Sequence, residues 1–257
     1  MEAGRPITTH GTHVAGIIGA QRGNGIGMDG VADNVQLMMV CAVPSDGDER
    51  DKDVANAIRY AVANGAKVIN MSFGKTMSPH KKELDEAIWF AEKNDVLICH
   101  LSHNYFTDVD VKPYYPIAKY SNGKVARNYI RVGNSTWNLN ELLPAWSSNY
   151  GAATVDLFAP GTQIYSTIPQ NKYALFNGTS MATPCVAGVA ALLRSYFPKL
   201  TAVQVKDILR STVYNPNFKV RLPGTDAELV PFSRLCNTGG IVNAYEAVKK
   251  ALEMQKK

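Results

Sequence analysis

The stretch Lys67–Cys99, KVINMSFGKTMSPHKKELDEAIWFAEKNDVLIC, carries the fold in miniature. Lys67-Val-Ile-Asn-Met71 reads as a short apolar strand, and Lys81 to Asn94 as a helix that turns Leu84, Ile88 and Phe90 inward. Val96-Leu-Ile-Cys99 is a second strand. The same alternation extends outward. Upstream, Val35–Val43 reads as a buried strand. Asp51 to Asn64 reads as a helix with Val54, Ile58, Ala61 and Val62 on one face and Gly65 placed to end it. Downstream, Tyr129–Gly133 and Val155–Ala159 are further strands. Apolar strands separated by amphipathic helices predict an α/β fold, a doubly wound parallel sheet with helices on both faces.

The last third is helical in pattern. A helix from Thr179 to Tyr196 is stopped by Pro198, and Thr201-Ala-Val-Gln204 has the form of a capping box that opens a helix to about Ser211. Residues 214–240 are rich in loop formers, and Asn243–Lys257 reads as an amphipathic helix. Neither an internal repeat nor a low-complexity linker divides the 257 residues, so residues 1–257 are expected to form one domain.

Composition narrows the function classes. With 46% hydrophobic and 19% charged residues, the chain can bury a large core, which excludes disorder as a description of the whole. The net charge of +5 is scattered except at Lys249, Lys250, Lys256 and Lys257, a solvated terminal helix rather than a nucleic-acid site. There is no apolar run of about 18 residues to cross a membrane and no hydrophobic leader at the start. Cys41, Cys99, Cys185 and Cys236 are far apart and form no C-x-x-C pair. They read as small buried hydrophobes, not a metal or disulfide framework.

Two segments carry the chemistry. His10-Gly-Thr-His-Val-Ala-Gly16 and Asn177-Gly-Thr-Ser-Met-Ala-Thr-Pro184 each open a helix rich in small residues. A serine at a helix start has unpaired N–H groups and the positive end of the dipole beside its hydroxyl, which suits an attacking alkoxide and the oxyanion that follows. A histidine at the start of another helix can serve it as general base. Alone, Ser180 could be an N-cap and His10 a core histidine; the pair, with Pro184 inside the second helix, points to nucleophilic catalysis.

At these residues the sequence resembles the subtilisin-like serine proteases, the subtilases, from residue 10 to about residue 211. The resemblance implies a subtilisin-like fold, with His10 as general base and Ser180 as nucleophile of a serine endopeptidase acting on peptides or proteins. It implies that Asn104 donates to the oxyanion, and that Ser72, Phe73 and Gly74 pair with the substrate backbone. Leu101, Ser102 and His103 then wall the pocket for the residue preceding the scissile bond. The family usually has small residues there, so a narrower or more polar pocket is expected. Structural calcium is common in the family, but no loop here has convincing ligand spacing, and neither a cofactor nor a metal is assigned. His100 and His103 stand beside Cys99 at H-x-x-H spacing without a fourth ligand. Secretion or a periplasmic location is a further implication of the resemblance; oligomeric state is not implied.

One departure is larger. The family triad runs Asp, His, Ser along the chain, yet Met1–Thr9 contain one acid, Glu2, and nothing like the Asp signature. Neither Asp29 nor Asp33 is assigned as a substitute, and the first strands, with the Asp, are expected to be missing. The rival within the fold is a pseudoprotease that binds peptides without turnover. A non-peptidase α/β hydrolase is disfavoured, because Gly178-Thr-Ser-Met-Ala182 is not G-x-S-x-G. Asp46, Asp48, Glu49 and Asp51 read as a solvated acidic loop that favours the helix after it; the alternative is an acidic edge to a substrate cleft.

Overall fold

A computed structural model describes residues 9–44 and 47–255. Its centre is a parallel sheet of β1 (Val68–Met71), β2 (Leu97–Leu101), β3 (Tyr129–Ser135) and β4 (Leu157–Pro160), in that order. The register sets Val68 beside Leu97, Ile98 beside Tyr129 and Val132 beside Leu157.

Alternation along β2 explains the layers, because successive side chains point to opposite faces. Leu97 and Cys99 join Ile130, Val132 and Leu157 under α4 (Thr179–Tyr196), α5 (Ala202–Ser211) and α6 (Ala244–Gln255). Ile98 joins Met71 and Tyr129 under α2 (Asp51–Ala63) and α3 (Lys81–Lys93) on the other face. The doubly wound α/β reading of the sequence therefore holds. The capping box at Thr201 forms as predicted: its side chain accepts from the Gln204 N–H at 3.2 Å, and Gln204 Oε1 accepts from the Thr201 N–H at 2.8 Å.

Three local expectations need correction, and the first is Cys41, which is exposed and not a buried hydrophobe. Val35–Val43 is not a buried strand; it forms no ladder, and Leu37, Met38 and Met39 are exposed. The run lies along α1 (Thr9–Gly19), with Val35 and Leu37 near Gly19 and Met39 near Gly11. Among the described residues, the outer edge of β1 has no strand beside it. Apolarity marks a segment for burial, but a strand also needs a neighbour to take its backbone hydrogen bonds. Phe90 points outward, because Ala87, Ile88 and Ala91 fill the inner face of α3. Residues 214–240 are mostly loop, as their composition suggests, and also hold a short hairpin of β7 (Lys219–Arg221) and β8 (Leu229–Pro231). A second hairpin, β5 (Ile164–Ile168) with β6 (Lys172–Phe176), precedes α4.

The helix α1 packs on α4 and β5. Val14 and Ile17 meet Met181, while the backbone of Ile18 lies further along, against Gly188. The two helices therefore run the same way, and their N-terminal ends lie together. His13 fastens α1 to the hairpin: its Nε2 lies 3.1 Å from the carbonyls of both Ile164 and Ala174, and its ring stacks on Phe176.

Candidate active site

The segments that leave the C-terminal ends of β1 and β2 converge on the start of α4. In open parallel sheets this edge is where ligands bind. Gly178, the residue before the helix, has φ +132°, a conformation side chains disfavour. A Cβ there would also stand 3.3 Å from the Asn104 amide. Glycine lets the chain turn sharply into α4 while Asn104 comes close.

Ser180 occupies the second position of α4. Pro184, four residues on, has no N–H to close the helical bond to the Ser180 carbonyl. Ser72 supplies the missing donor: its hydroxyl donates to the Ser180 carbonyl at 2.9 Å and accepts from Asn70 Nδ2 at 3.0 Å. In return the Ser180 hydroxyl lies 3.4 Å from the Ser72 carbonyl, a long contact that leaves it free to turn. The proline inside the helix thus has a structural consequence, because it hands the backbone of Ser180 to the segment after β1.

Asn104 approaches from the other side. Its Oδ1 accepts from the Thr179 N–H at 2.8 Å and from the Thr179 hydroxyl at 3.1 Å. With the oxygen so engaged, the amide group Nδ2 is the donor this side chain keeps at the start of α4. The loop after it is held by Asn149, whose Oδ1 accepts from the N–H groups of Tyr105 at 2.8 Å and Thr107 at 2.9 Å. The role of Asn149 left no mark in the sequence, since it acts across more than forty positions.

His10 lies in the first turn of α1, at the end it shares with α4. Partial desolvation, and then the charge of nearby His13, hold its imidazole below the usual pKa. The residue is otherwise exposed, and the shift favours the neutral imidazole, the form able to accept a proton. Asp29 is occupied by the Gly23 N–H and Asp33 by the Tyr196 hydroxyl. No carboxylate among the described residues raises the His10 pKa. Glu2 lies outside them.

The remaining predicted residues divide by burial. Ser72 is buried and Phe73 and Gly74 half-buried, while Leu101 and Ser102 are buried, with the Ser102 hydroxyl on the Asn149 carbonyl at 3.0 Å. His103 bridges the two segments, its Nε2 2.8 Å from the Gly74 carbonyl; buried His100 lies 2.7 Å from the Phe73 carbonyl. Burial pushes both imidazoles down, His100 the further. Cys99 points to the opposite face of β2, away from both rings. Among the described residues no three His, Cys, Asp or Glu side chains gather as a metal site.

The acidic loop is less solvated than its sequence suggests. Asp46 lies outside the described residues and Asp48 is exposed, but Glu49 and Asp51 are buried. Lys75 ties both to the segment after β1, through the Glu49 carbonyl at 2.6 Å and the Asp51 carboxylate at 2.7 Å. Burial alone would raise the Asp51 carboxyl, but Lys75 and the His80 N–H outweigh it and hold the group below its usual value.

The chain as a whole is similar to known proteins. The chain is 38% identical over 206 residues to alkaline elastase YaB of Bacillus sp. (strain YaB), covering 80% of this chain and 50% of that protein. It is 36% identical over 241 residues to thermitase of Thermoactinomyces vulgaris, covering 93% and 75%. It spans about half the length of the elastase, and 43% of a thermophilic serine proteinase from Bacillus sp. (strain AK1). Among solved structures, the prenylagaramide maturation protease PagA superposes with TM-score 0.70 at 27% identity, covering 95% of this chain and 84% of that one. A cold-adapted subtilisin-like serine proteinase gives 0.68 at 32%, covering 86% and 73%. The subtilase family profile matches residues 2–239, and the chain belongs to that family.

Proposed function

We propose that this chain is a serine endopeptidase domain that cleaves peptide bonds through an acyl-enzyme on Ser180. The observation that supports the reading is the meeting of Ser72 with Ser180 and of Asn104 with Thr179 at the start of α4, the helix on which α1, with His10 in its first turn, packs. Ser180 attacks the scissile carbonyl while neutral His10 takes its proton and later returns it to the leaving amine. The developing oxyanion is met by Asn104 Nδ2 and the Ser180 N–H. Ser72, Phe73 and Gly74 present the backbone along which an extended substrate lies, by β-augmentation. The carbonyls of these three residues already have donors within the chain. A carbonyl oxygen can accept a second bond.

A second reading, peptide binding without turnover, is favoured by one observation: the described residues bring no carboxylate to His10. Such a group holds the imidazole in its useful tautomer and stabilises the imidazolium. In subtilisin itself its removal lowers kcat by about 3 × 10⁴, equivalent to about 6 kcal/mol. Hydrolysis of casein by the purified chain and by Ser180→Ala separates the readings. Turnover that vanishes in the variant supports the peptidase; peptide binding with no turnover in either supports the binder.

A further inference from the structure

The walls beside Ser180 do not enclose an open slot. Ser180 touches the 72–74 segment, and Thr179 touches Asn104 at the end of the 101–104 segment. On the peptidase reading, a carbonyl attacked by Ser180 with its oxygen toward Asn104 would have its acyl-side substituent between these two segments. His103 crosses that space: its Nε2 lies 2.8 Å from the Gly74 carbonyl. Its Cδ2 lies 3.2 Å from where a Cβ on Gly74 would sit. The ring is held by Tyr105, centroids 5.1 Å apart, and by Tyr114 at 4.9 Å. Behind it, His100 makes the parallel bond to the Phe73 carbonyl. The His103 backbone sits at φ +84°, left-handed territory that glycine takes freely and a histidine takes at a penalty. This conformation swings the imidazole across the gap.

We propose that His103 is a specificity-determining bolt that closes the acyl-side pocket, so that the site takes peptides with glycine or alanine before the scissile bond. This rests on the peptidase reading for the identity of the slot, but it concerns binding and is testable without catalysis. The bolt is fixed on both sides, by a hydrogen bond and by two tyrosines, so a larger side chain enters only by breaking those contacts.

The test titrates Ser180→Ala, and Ser180→Ala with His103→Gly, with succinyl-Ala-Ala-Pro-Ala and succinyl-Ala-Ala-Pro-Phe. Glycine suits the +84° backbone, and thermal melting confirms that the variant folds. With His103 present, the alanine peptide should bind at least tenfold tighter. With His103→Gly, the phenylalanine peptide should gain at least tenfold while the alanine peptide changes less than threefold. Equal binding of both peptides beside His103 overturns the proposal, as does an unchanged ratio in His103→Gly. Binding of neither peptide to either variant also overturns it, since the slot then receives no side chain. Labelling of the native chain by a fluorophosphonate reports separately on Ser180, so failure of the bolt and failure of the peptidase reading are distinct results.

Discussion

If Ser72 replaces the helical donor that Pro184 lacks, the two residues must be energetically coupled although they never touch as donor and acceptor. In Ser72→Ala the Ser180 carbonyl loses its 2.9 Å partner. A buried acceptor stripped of its donor costs about 1–3 kcal/mol. Ser180 is half-buried, which favours the lower half of that range, about 1–2 kcal/mol. In a Pro184→Ala background the new amide can close the helical bond to the same carbonyl, and Ser72→Ala should then cost about 0.5 kcal/mol, the low end for one ordinary hydrogen bond. The expected coupling is about 1 kcal/mol, outside the roughly 0.3–0.5 kcal/mol scatter of independent sites. Urea unfolding of the four corners of the cycle measures it, as a difference of about 0.3–1 M in midpoint shift. A Ser180→Ala background prevents self-cleavage and keeps the carbonyl under test. Additive losses within 0.3 kcal/mol would show that Ser72 does not stand in for the missing helical bond.

Two further outcomes are expected at the site. Asn104→Asp keeps both bonds accepted from Thr179 and should unfold near the native midpoint, whereas Asn104→Ala should lose about 1–3 kcal/mol by orphaning the Thr179 N–H; both should lower kcat by about 10²–10³, the loss seen in subtilisin itself when one such donor is removed. Equal stability of the two variants would place the bond to Thr179 outside the fold's support, and native turnover in Asn104→Asp would remove the donor role. The depressed pKa of His10 means that its neutral form persists as pH falls below 6.5. The rate of fluorophosphonate labelling, plotted against pH, should therefore fall with a midpoint below 6.5; a midpoint above 6.5 would reveal an anion beside the imidazole that residues 9–44 and 47–255 do not supply.

Much of the frame was readable because it rests on local periodicity. The apolar runs at 67–71, 96–99 and 129–133 became the first three strands of the sheet, and the Thr201 capping box formed because both partners lie within one helical turn. Val35–Val43 failed because the strand pattern says nothing about which edge will receive it. Phe90 failed because two alanines and an isoleucine already filled the face it was assigned to. The hairpins at 164–176 and 219–231 were invisible for a related reason: their strands are short, and their alternation is too weak to stand out. At the proposed site, motif and order along the chain are what single out His10, Ser180 and Asn104. The Ser72–Ser180 exchange, the Asn149 support and the His103 bridge were not legible, since each joins segments from 29 to 108 positions apart.

The central claim is that Ser180 is a nucleophile activated by His10. The direct measurement is the rate and position of covalent modification by a fluorophosphonate, read by intact mass and peptide mapping in the native chain, Ser180→Ala and His10→Ala. A single adduct on Ser180, absent from Ser180→Ala and slowed on the order of 10²–10⁴ in His10→Ala, is the predicted result. An adduct on another residue, no adduct at all, or an unchanged rate without His10 would contradict it.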